Sequence, residues 1–435
     1  MATQPDGSRV SSPPARPSRA PDAPGNLDHA ADGVGDYAQL ARMRGPNPMY
    51  DVVVDEVAGR RVRVGDHWLI DFASCNYLGF DLDPEIAAAV PVQLGRWGTH
   101  PSWSRMIASP RLAIDIEDEL ADLLGAPDCL VLPTITHIHG SVLPVLAAGG
   151  QVFVEAHAHR TIHDGALTAR ARGARIRYFR ESRLDHLDRM LNQPATGPRV
   201  VCTDGVNSMT GNPAPLAELA RITREHGALL YIDDAHGFGV IGERRVDETS
   251  PYGMRGNAIV RHLGLEYEGI VLVGGFSKAY SSLLAFVACP TATKNLLKVA
   301  AAPYIFSGPP PTASLATVLA GFRVNATRGD AIRARLYRLT RRLLDGLDAR
   351  GIAHLNRSGF PVTEIPLADA DDLDGLGHLL FERGLLVTLV PYPVVTREQV
   401  GFRLQVTAAN TDEEITDLLA VLDEVAERFA LRAAT

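Results

Sequence analysis

The sequence predicts an α/β protein with a mainly parallel central sheet, helices on both faces of that sheet, and a smaller α+β domain at the C-terminal end. Short apolar runs alternate with helical patterns through the middle of the chain. Most of these runs are rich in Val, Ile and Leu without polar alternation, which is typical of strands buried on both faces. After about Pro311 one long helical stretch replaces this rhythm, which indicates a second domain.

Seven apolar runs are predicted as strands of the central sheet. In chain order they are CLVLPT, QVFVEA, RIRYF, RVVCTDG, ALLYIDDAHG, GIVLVGGFSK and AFVACP. Helical patterns such as PLAELARITREHG lie between them, and this one begins with Pro215 and ends at Gly227, as helices often do. The last amphipathic segment, TDEEITDLLAVLDEVAERFALR, predicts a terminal helix.

These patterns divide the 435 residues into four parts. Residues 1–36 are rich in Pro, Ala and Ser and offer few apolar side chains to bury, which predicts a disordered tail. An inert leader and a docking segment both remain open for it. Residues 37–70 are expected to form an N-terminal segment with a small hairpin, residues 71–310 a large ligand-binding domain, and residues 311–435 the small domain.

Composition excludes several classes of protein. The net charge of -8 and the pI near 6.0 argue against a nucleic-acid binder. No apolar run reaches the roughly 20 residues of a membrane helix, and the N-terminus does not resemble a signal peptide, so we expect no membrane partner and a cytoplasmic location. The cysteines are widely spaced without a CxxC pair, which indicates reduced thiols, and no metal site is predicted.

Polar residues directly after predicted strands are the first candidates for a site, because ligands bind beyond the carboxyl ends of strands in an open α/β sheet. Asp233, Asp234 and His236 follow one strand, and Lys278 follows a later one. Taken singly, the aspartate could cap a turn and the lysine could lie on the surface. Together they could face one pocket. Pyridoxal 5′-phosphate (PLP) needs this pair: a lysine for a Schiff base and an acid that keeps the pyridine nitrogen protonated.

Several longer segments occur in an order that resembles one family. They include SCNYLGF, SRMIAS, EAHAHRT, TDGVNSMTGNPAPLAEL, YIDDAHGFGVIGE, GGFSKA, YIFSGPPP and GFRLQVTAANTDEEI. From about Tyr50 to Ala426 the chain resembles the α-oxoamine synthases, fold-type I PLP-dependent enzymes that join an amino acid to an acyl thioester and release carbon dioxide. The resemblance implies PLP as cofactor, residues 71–310 as the PLP-binding domain, and carbon–carbon bond formation as the reaction.

The resemblance also implies how the cofactor is held. Lys278 would form the Schiff base, Asp233 would pair with the pyridinium nitrogen, and His236 would bind the phenolic oxygen, with Ser208 nearby. His159 matches the histidine that stacks on the ring, although it could also be an ordinary member of a histidine-rich stretch.

Phosphate and substrate contacts follow from the same comparison. Thr136, His137 and Ser277 would bind the phosphate, together with Ser307 from the second subunit of a homodimer whose active site lies at the interface. The substrate-binding residues would be Arg403, which grips the substrate carboxylate, with Asn76 beside it and Arg105 from the SRMIAS segment.

The chain departs from the family mainly around the substrate. Small glycines are expected where the chain has Trp103, Ser281, Leu284 and Ala285; other replacements are Gly275 for Thr, His139 for Asn, Asn410 for His and Gly308 for a hydroxyl residue. Because glycine allows close backbone approach, these changes reshape the pocket. We expect a branch in specialised metabolism whose electrophile need not be a plain acyl-coenzyme A. A non-acyl electrophile and transamination stay open as alternatives. Retention of Lys278 argues against a non-catalytic partner subunit.

Overall fold

The computed structural model describes Arg44 and residues 46–245 and 250–432. The predicted tail over residues 1–36, and the beginning of the predicted N-terminal segment, lie outside the described residues. No helix in the described ranges is long and apolar enough to cross a membrane.

The predicted hairpin near the N-terminus is part of a four-stranded sheet. Strands β1 (Glu56–Ala58), β2 (Arg61–Val64) and β3 (His67–Asp71) pair antiparallel in sequence order. The two-residue strand β12 (Leu385–Leu386) pairs parallel to β3. This pairing attaches the N-terminal segment to the C-terminal part of the chain.

All seven apolar runs form strands of one central sheet. They are β4 (Asp128–Leu132), β5 (Gln151–Glu155), β6 (Arg175–Phe179), β7 (Arg199–Asp204), β8 (Leu229–Asp233), β9 (Ile270–Gly275) and β10 (Ala285–Cys289). Their order is β4-β10-β9-β8-β7-β5-β6, and all neighbours are parallel except that β10 runs antiparallel to β4 and β9. The reversal follows from the connection, since residues 276–284 are too few for the crossover that parallel neighbours need.

Helices cover both faces of the central sheet, as predicted. They are α1 (Pro84–Trp97), α2 (Arg111–Leu124), α3 (Ile135–Ala147), α4 (Arg160–Ala171), α5 (Leu184–Leu191), α6 (Leu216–Glu225), α7 (Ala258–His262), α8 (Thr291–Ala300) and α9 (Ala302–Ile305). Alternate residues of β4 enter different apolar cores: Val131 belongs to the same core as Ile116 of α2, and Leu130 belongs to the same core as Ile138 of α3. The strands are therefore buried on both sides, which explains their unbroken apolar composition.

The C-terminal part is an α+β unit. It contains α10 (Thr312–Ala349), β11 (Val362–Pro366), α11 (Leu373–Glu382), β13 (Thr388–Val390), β14 (Gly401–Gln405) and α12 (Asp412–Arg428). Strands β11, β14 and β13 form an antiparallel sheet in that order. The terminal helix begins with a capping box between Thr411 and Glu414.

Candidate active site

Five of the predicted site residues line one pocket at the carboxyl ends of the central strands. The pocket holds about 280 Å³ of space, its open mouth included, and is lined by Ile135, His159, Asp204, Val206, Ser208, Asp233, Ala235, His236 and Lys278. Parallel neighbours end at the same edge of a sheet, so residues that follow β5, β7, β8 and β9 meet there.

Asp233, the last residue of β8, is buried and held by two donors. Its Oδ2 atom lies 2.9 Å from Nε2 of His139, and its Oδ1 atom accepts a hydrogen bond from the backbone of Ala235 at 2.9 Å. The His139 ring is fully buried in α3, and its Nδ1 atom lies 2.9 Å from the hydroxyl of Tyr231. Burial opposes ionisation of Asp233, but the hydrogen bond and charge of His139 outweigh it and lower the pKa of this carboxyl group.

His236 is a buried, neutral imidazole beside this carboxylate. Its Nδ1 atom lies 2.8 Å from the hydroxyl of Tyr77, which fixes the ring. Burial, reinforced by the positive charges of Lys278 and Arg403, lowers the pKa of His236 well below its usual value. A neutral ring keeps one nitrogen as a donor and the other as an acceptor, so His236 can bind an anionic ligand oxygen without carrying charge.

A second carboxyl group, Asp204, ends the neighbouring strand β7. Its Oδ1 atom accepts a hydrogen bond from the backbone of His159 at 3.1 Å, and its buried Oδ2 atom has no hydrogen-bond partner in the described chain. Burial and the charge of Asp233 raise the pKa of Asp204 well above its usual value. The pocket thus holds one carboxyl group that favours ionisation and one that favours protonation.

His159 precedes α4, and its Nδ1 atom lies 2.7 Å from the Thr161 hydroxyl. Desolvation lowers the pKa of His159. The ring at the pocket is therefore neutral at pH 7 and can lie against an aromatic ligand.

The small domain contributes Arg403 to the edge of the pocket. Its Nη1 atom donates to the backbone carbonyl of Ser208 at 2.8 Å. The side-chain amide of Gln405 is oriented so that both of its polar atoms have partners. Its nitrogen donates to the carbonyl of Phe72, and its oxygen accepts from Nε and Nη2 of Arg403, both at 2.9 Å. A guanidinium has five N–H donors, so this arrangement orients Arg403 and leaves donors for a ligand carboxylate. Asn76 is half-buried and immediately precedes Tyr77.

Arg105 does not reach this pocket, which corrects its assignment as a substrate-binding residue. Its side chain is buried, with Nη1 donating to Glu117 at 2.8 Å and to the carbonyl of Val131 at 2.6 Å, while Nε donates to Ser109 at 3.1 Å. The guanidinium carbon also lies 5.0 Å from the ring centre of Tyr304. A buried charge requires such partners, so these contacts commit Arg105 to the large-domain core.

The residues predicted to bind a phosphate are dispersed. Thr136 and His137 are exposed in the first turn of α3, next to Ile135 in the pocket wall. The Thr134 hydroxyl accepts a hydrogen bond from the His137 backbone, while the other N–H groups of the first turn have no acceptor within the helix. A helix N-terminus of this kind suits an anion. Ser277 is exposed just before Lys278.

Ser307 does not line the pocket of its own chain, and its hydroxyl donates to the Gly308 carbonyl at 3.0 Å. A phosphate contact by Ser307 therefore requires a second copy.

Sequence reasoning missed three residues that shape the pocket. Asp204 ends the run RVVCTDG, so the same strand-end argument that found Asp233 could have found it. His139 was noticed only as a replacement, and Tyr77 gave no signal, because each acts on a residue far away in the chain. Asp234, by contrast, was a candidate but is fully buried and accepts a hydrogen bond from the backbone of Ile259 at 2.9 Å. Burial raises the pKa of Asp234 to about 8, and its contact stabilises the start of α7.

Lys278 is the lysine that could hold PLP. The whole chain has three lysines. Lys294 pairs with Glu117 and Asp128, and Lys298 lies 5.8 Å from the ring centre of Tyr304. A pocket lysine, an ionised carboxylate, a neutral imidazole and a helix N-terminus form a donor set that fits PLP, and the unpartnered Oδ2 atom of Asp204 is consistent with a polar ligand.

Comparison with known proteins agrees with the fold and with this donor set. The model of the family "Aminotransferase class I and II" matches residues 69–422. The 8-amino-7-oxononanoate synthase of Alkalilimnicola ehrlichii is 32% identical over 360 residues, covering 82% of this chain and 88% of the relative. The enzyme of that name from Pseudomonas putida is 31% identical over 375 residues, covering 86% and 92%.

Solved structures extend the comparison. Serine palmitoyltransferase from S. paucimobilis, solved with PLP and myriocin bound, superposes with a TM-score of 0.83 at 25% identity, covering 93% of this chain and 99% of that one. The 8-amino-7-oxononanoate synthase of Francisella tularensis, at 21% identity and a TM-score of 0.68, shares the fold. The chain therefore has the fold-type I architecture and belongs to the aminotransferase class I and II family and, within it, to the α-oxoamine synthases.

Proposed function

We propose that this chain catalyses PLP-dependent carbon–carbon bond formation between an amino-acid-derived carbanion and an acyl thioester, with loss of carbon dioxide. One observation carries the proposal: Lys278 shares a pocket with Asp233, a buried carboxyl group whose Oδ2 atom lies 2.9 Å from Nε2 of His139. The similarity to 8-amino-7-oxononanoate synthases and to serine palmitoyltransferase supports this reaction over others of the same fold.

The pocket residues would hold the cofactor in complementary ways. When bound, PLP supplies an electron-withdrawing ring that stabilises negative charge on the substrate α-carbon. Lys278 would provide the covalent attachment, and Asp233 would keep a proton on the ring nitrogen. His236, fixed by Tyr77, would bind the phenolic oxygen, and His159 would contact the ring.

The outer contacts of the cofactor would complete the site. Ser208 lies at the pocket wall near the phenolic oxygen. The phosphate would be bound by the N-terminal turn of α3 at Thr136 and His137, by Ser277, and by Ser307 of a second copy.

Arg403, Asn76 and Lys278 would act on the substrate. Arg403 would bind the α-carboxylate with the guanidinium donors left free by Ser208 and Gln405, and Asn76 would lie beside it. This anchor would orient the α-carbon and so determine which of its bonds breaks. Lys278 Nζ would take up the α-proton. The α-carbon would then bond to the acyl carbon as the thiolate leaves. The carboxylate would depart as carbon dioxide, and the proton held by Lys278 Nζ would take its place on the α-carbon.

We also propose a cytoplasmic homodimer. Large apolar side chains are exposed on the described single chain near Ser307 and near the SRMIAS segment, including Phe306 at 84% and Ile107 at 82% exposure. A second copy that covers them would bring Ser307 to the neighbouring pocket. The four cysteines are all free, as expected in a reducing compartment.

Thiol release tests the reaction. Purified protein with PLP is mixed with L-serine, L-alanine or glycine and a series of acyl-coenzyme A thioesters from acetyl to palmitoyl. We expect thiol and carbon dioxide in equal amounts, dependent on the amino acid, abolished in Lys278→Ala and retained in the control Lys298→Ala. If no thioester reacts while a 2-oxo acid accepts the amino group, the protein is an aminotransferase.

Covalent trapping tests the lysine independently of turnover. Borohydride reduction of the PLP complex followed by peptide mapping should place the cofactor on Lys278, and the assignment is simple because the chain has three lysines. Label on Lys294 or Lys298 would refute the assignment.

A further inference from the structure

Glu364 is a buried carboxyl group without a hydrogen-bond partner. It occupies the middle of β11 and is 0% exposed, and neither side-chain oxygen has a partner among the residues that the structure describes. Burial of an unpaired carboxyl group is unfavourable, and it raises the pKa of Glu364 to about 7. Neither the fold nor the proposed chemistry explains an acid at this position.

Glu364 lies directly opposite Arg403. Strands β11 and β14 are antiparallel, with Glu364 in register with Arg403. Opposite residues of an antiparallel pair point to the same face, with Cβ atoms roughly 4.5–5.5 Å apart. The other side chains in register on this face are uncharged: Val362 and Gln405 beside the pair, and Thr388 of β13 on the far side of Arg403.

Arg403 extends from this face of the small sheet toward the pocket. The alternate residues Phe402 and Leu404 belong to the apolar core, whereas Arg403 reaches Ser208, a pocket residue. The neighbouring Met209 sulfur, 3.6 Å from Arg403, is also uncharged. Arg403 is thus the charged group that acts on Glu364, and it opposes the effect of burial.

The protonation state of Glu364 would change how strongly Arg403 attracts a substrate carboxylate. An ionised Glu364 partly compensates the guanidinium charge and weakens its attraction for a substrate carboxylate. A protonated Glu364 leaves the full positive charge available. Conversely, a carboxylate bound to Arg403 adds negative charge nearby and favours the protonated state. Binding and protonation must strengthen each other by the same factor.

We infer that Glu364 is a positioning residue that acts through Arg403 and couples binding of the amino-acid carboxylate to uptake of one proton. The inference rests on the proposed role of Arg403 as the carboxylate-binding residue. Because Glu364 changes charge near neutral pH, affinity for the amino acid should fall as the pH rises. One charge at this separation supports about a tenfold change in the dissociation constant.

The test compares wild type with Glu364→Gln, which keeps the shape and removes the charge. The PLP-loaded enzyme is titrated with each of the twenty amino acids, without thioester, and binding is followed by the absorbance of the bound cofactor between pH 6 and pH 9. Titration of the amino acid itself affects both proteins equally, so the ratio of the two dissociation constants is the readout. We expect a ratio near one at pH 6 and near ten at pH 9.

Two further measurements keep the inference falsifiable if Glu364→Gln folds poorly. Glu364→Asp should retain the fall in affinity. Calorimetric titration of wild type in two buffers with different ionisation heats should show net proton uptake that is greatest near pH 7.5 and smaller at pH 6 and pH 9. A ratio that stays flat with pH, or no proton uptake, overturns the inference alone. Absence of any cofactor response to all amino acids overturns the proposed function, and the inference with it.

Discussion

Replacing His139 by Leu should destabilise the protein and weaken cofactor binding together. The change removes two buried contacts of 2.9 Å, one to Asp233 and one to Tyr231, and leaves both partners without a replacement. A buried charged group that loses its partner costs about 3–5 kcal/mol, whereas a neutral group that loses one costs about 1–3 kcal/mol. Both contacts are made by one side chain, so the two costs do not simply add, and we expect the free energy of unfolding to fall by about 4 kcal/mol.

Urea unfolding of the cofactor-free protein measures this loss, with Tyr231→Phe as the matched control. The control removes the neutral contact only and should cost about 1 kcal/mol. His139→Asn keeps one donor for Asp233, so its loss in the free energy of unfolding should lie between those of His139→Leu and Tyr231→Phe.

The stability difference between His139→Leu and wild type should depend on pH. His139 lowers the pKa of Asp233, so the stabilisation is present above the unfolded pKa of about 3.9 and is lost as the pH falls through the lower folded value. The dissociation constant of PLP should rise at least tenfold in His139→Leu at pH 7.5. The reasoning fails if His139→Leu costs no more than Tyr231→Phe, or if PLP binds both variants equally.

Three further substitutions test other parts of the structure. Arg105→Gln should lower the free energy of unfolding by about 3 kcal/mol because Glu117 loses a buried partner, while amino-acid affinity stays within threefold; a change in affinity alone would restore Arg105 to the substrate site. Asp204→Asn should stabilise the cofactor-free protein at pH 7.5 but not at pH 3.5. The pKa of Asp204 is raised in the folded protein, so its contribution to stability is present below the pKa of the unfolded chain and is lost as the pH rises through the folded pKa. Ser281→Gly should raise the free energy of unfolding in urea by about 1 kcal/mol, because Ser281 has a φ of 53°, a conformation that favours glycine. The control Ser281→Ala should bring no gain.

The sequence determined the central sheet and the centre of the site. All seven apolar runs became strands, because burial on both faces requires an unbroken apolar composition that is visible locally. The residues that end or follow those strands, Asp233, His236 and Lys278, came together because parallel strands end at one edge. The order of the motifs also predicted Arg403 and His159 as site residues, although their local sequence alone is equally typical of surface residues.

Tertiary structure decided which residues act on that centre. The direction of β10, the His139 contact to Asp233, the Tyr77 contact to His236 and the pairing of Glu364 with Arg403 all join segments far apart in the chain. The structure likewise places Arg105, which was predicted to bind the substrate, in the buried core. Such contacts depend on which face of a helix a side chain occupies and on the register of two strands. Local sequence patterns do not encode these relations, because they arise only when the packed elements fix each other's positions.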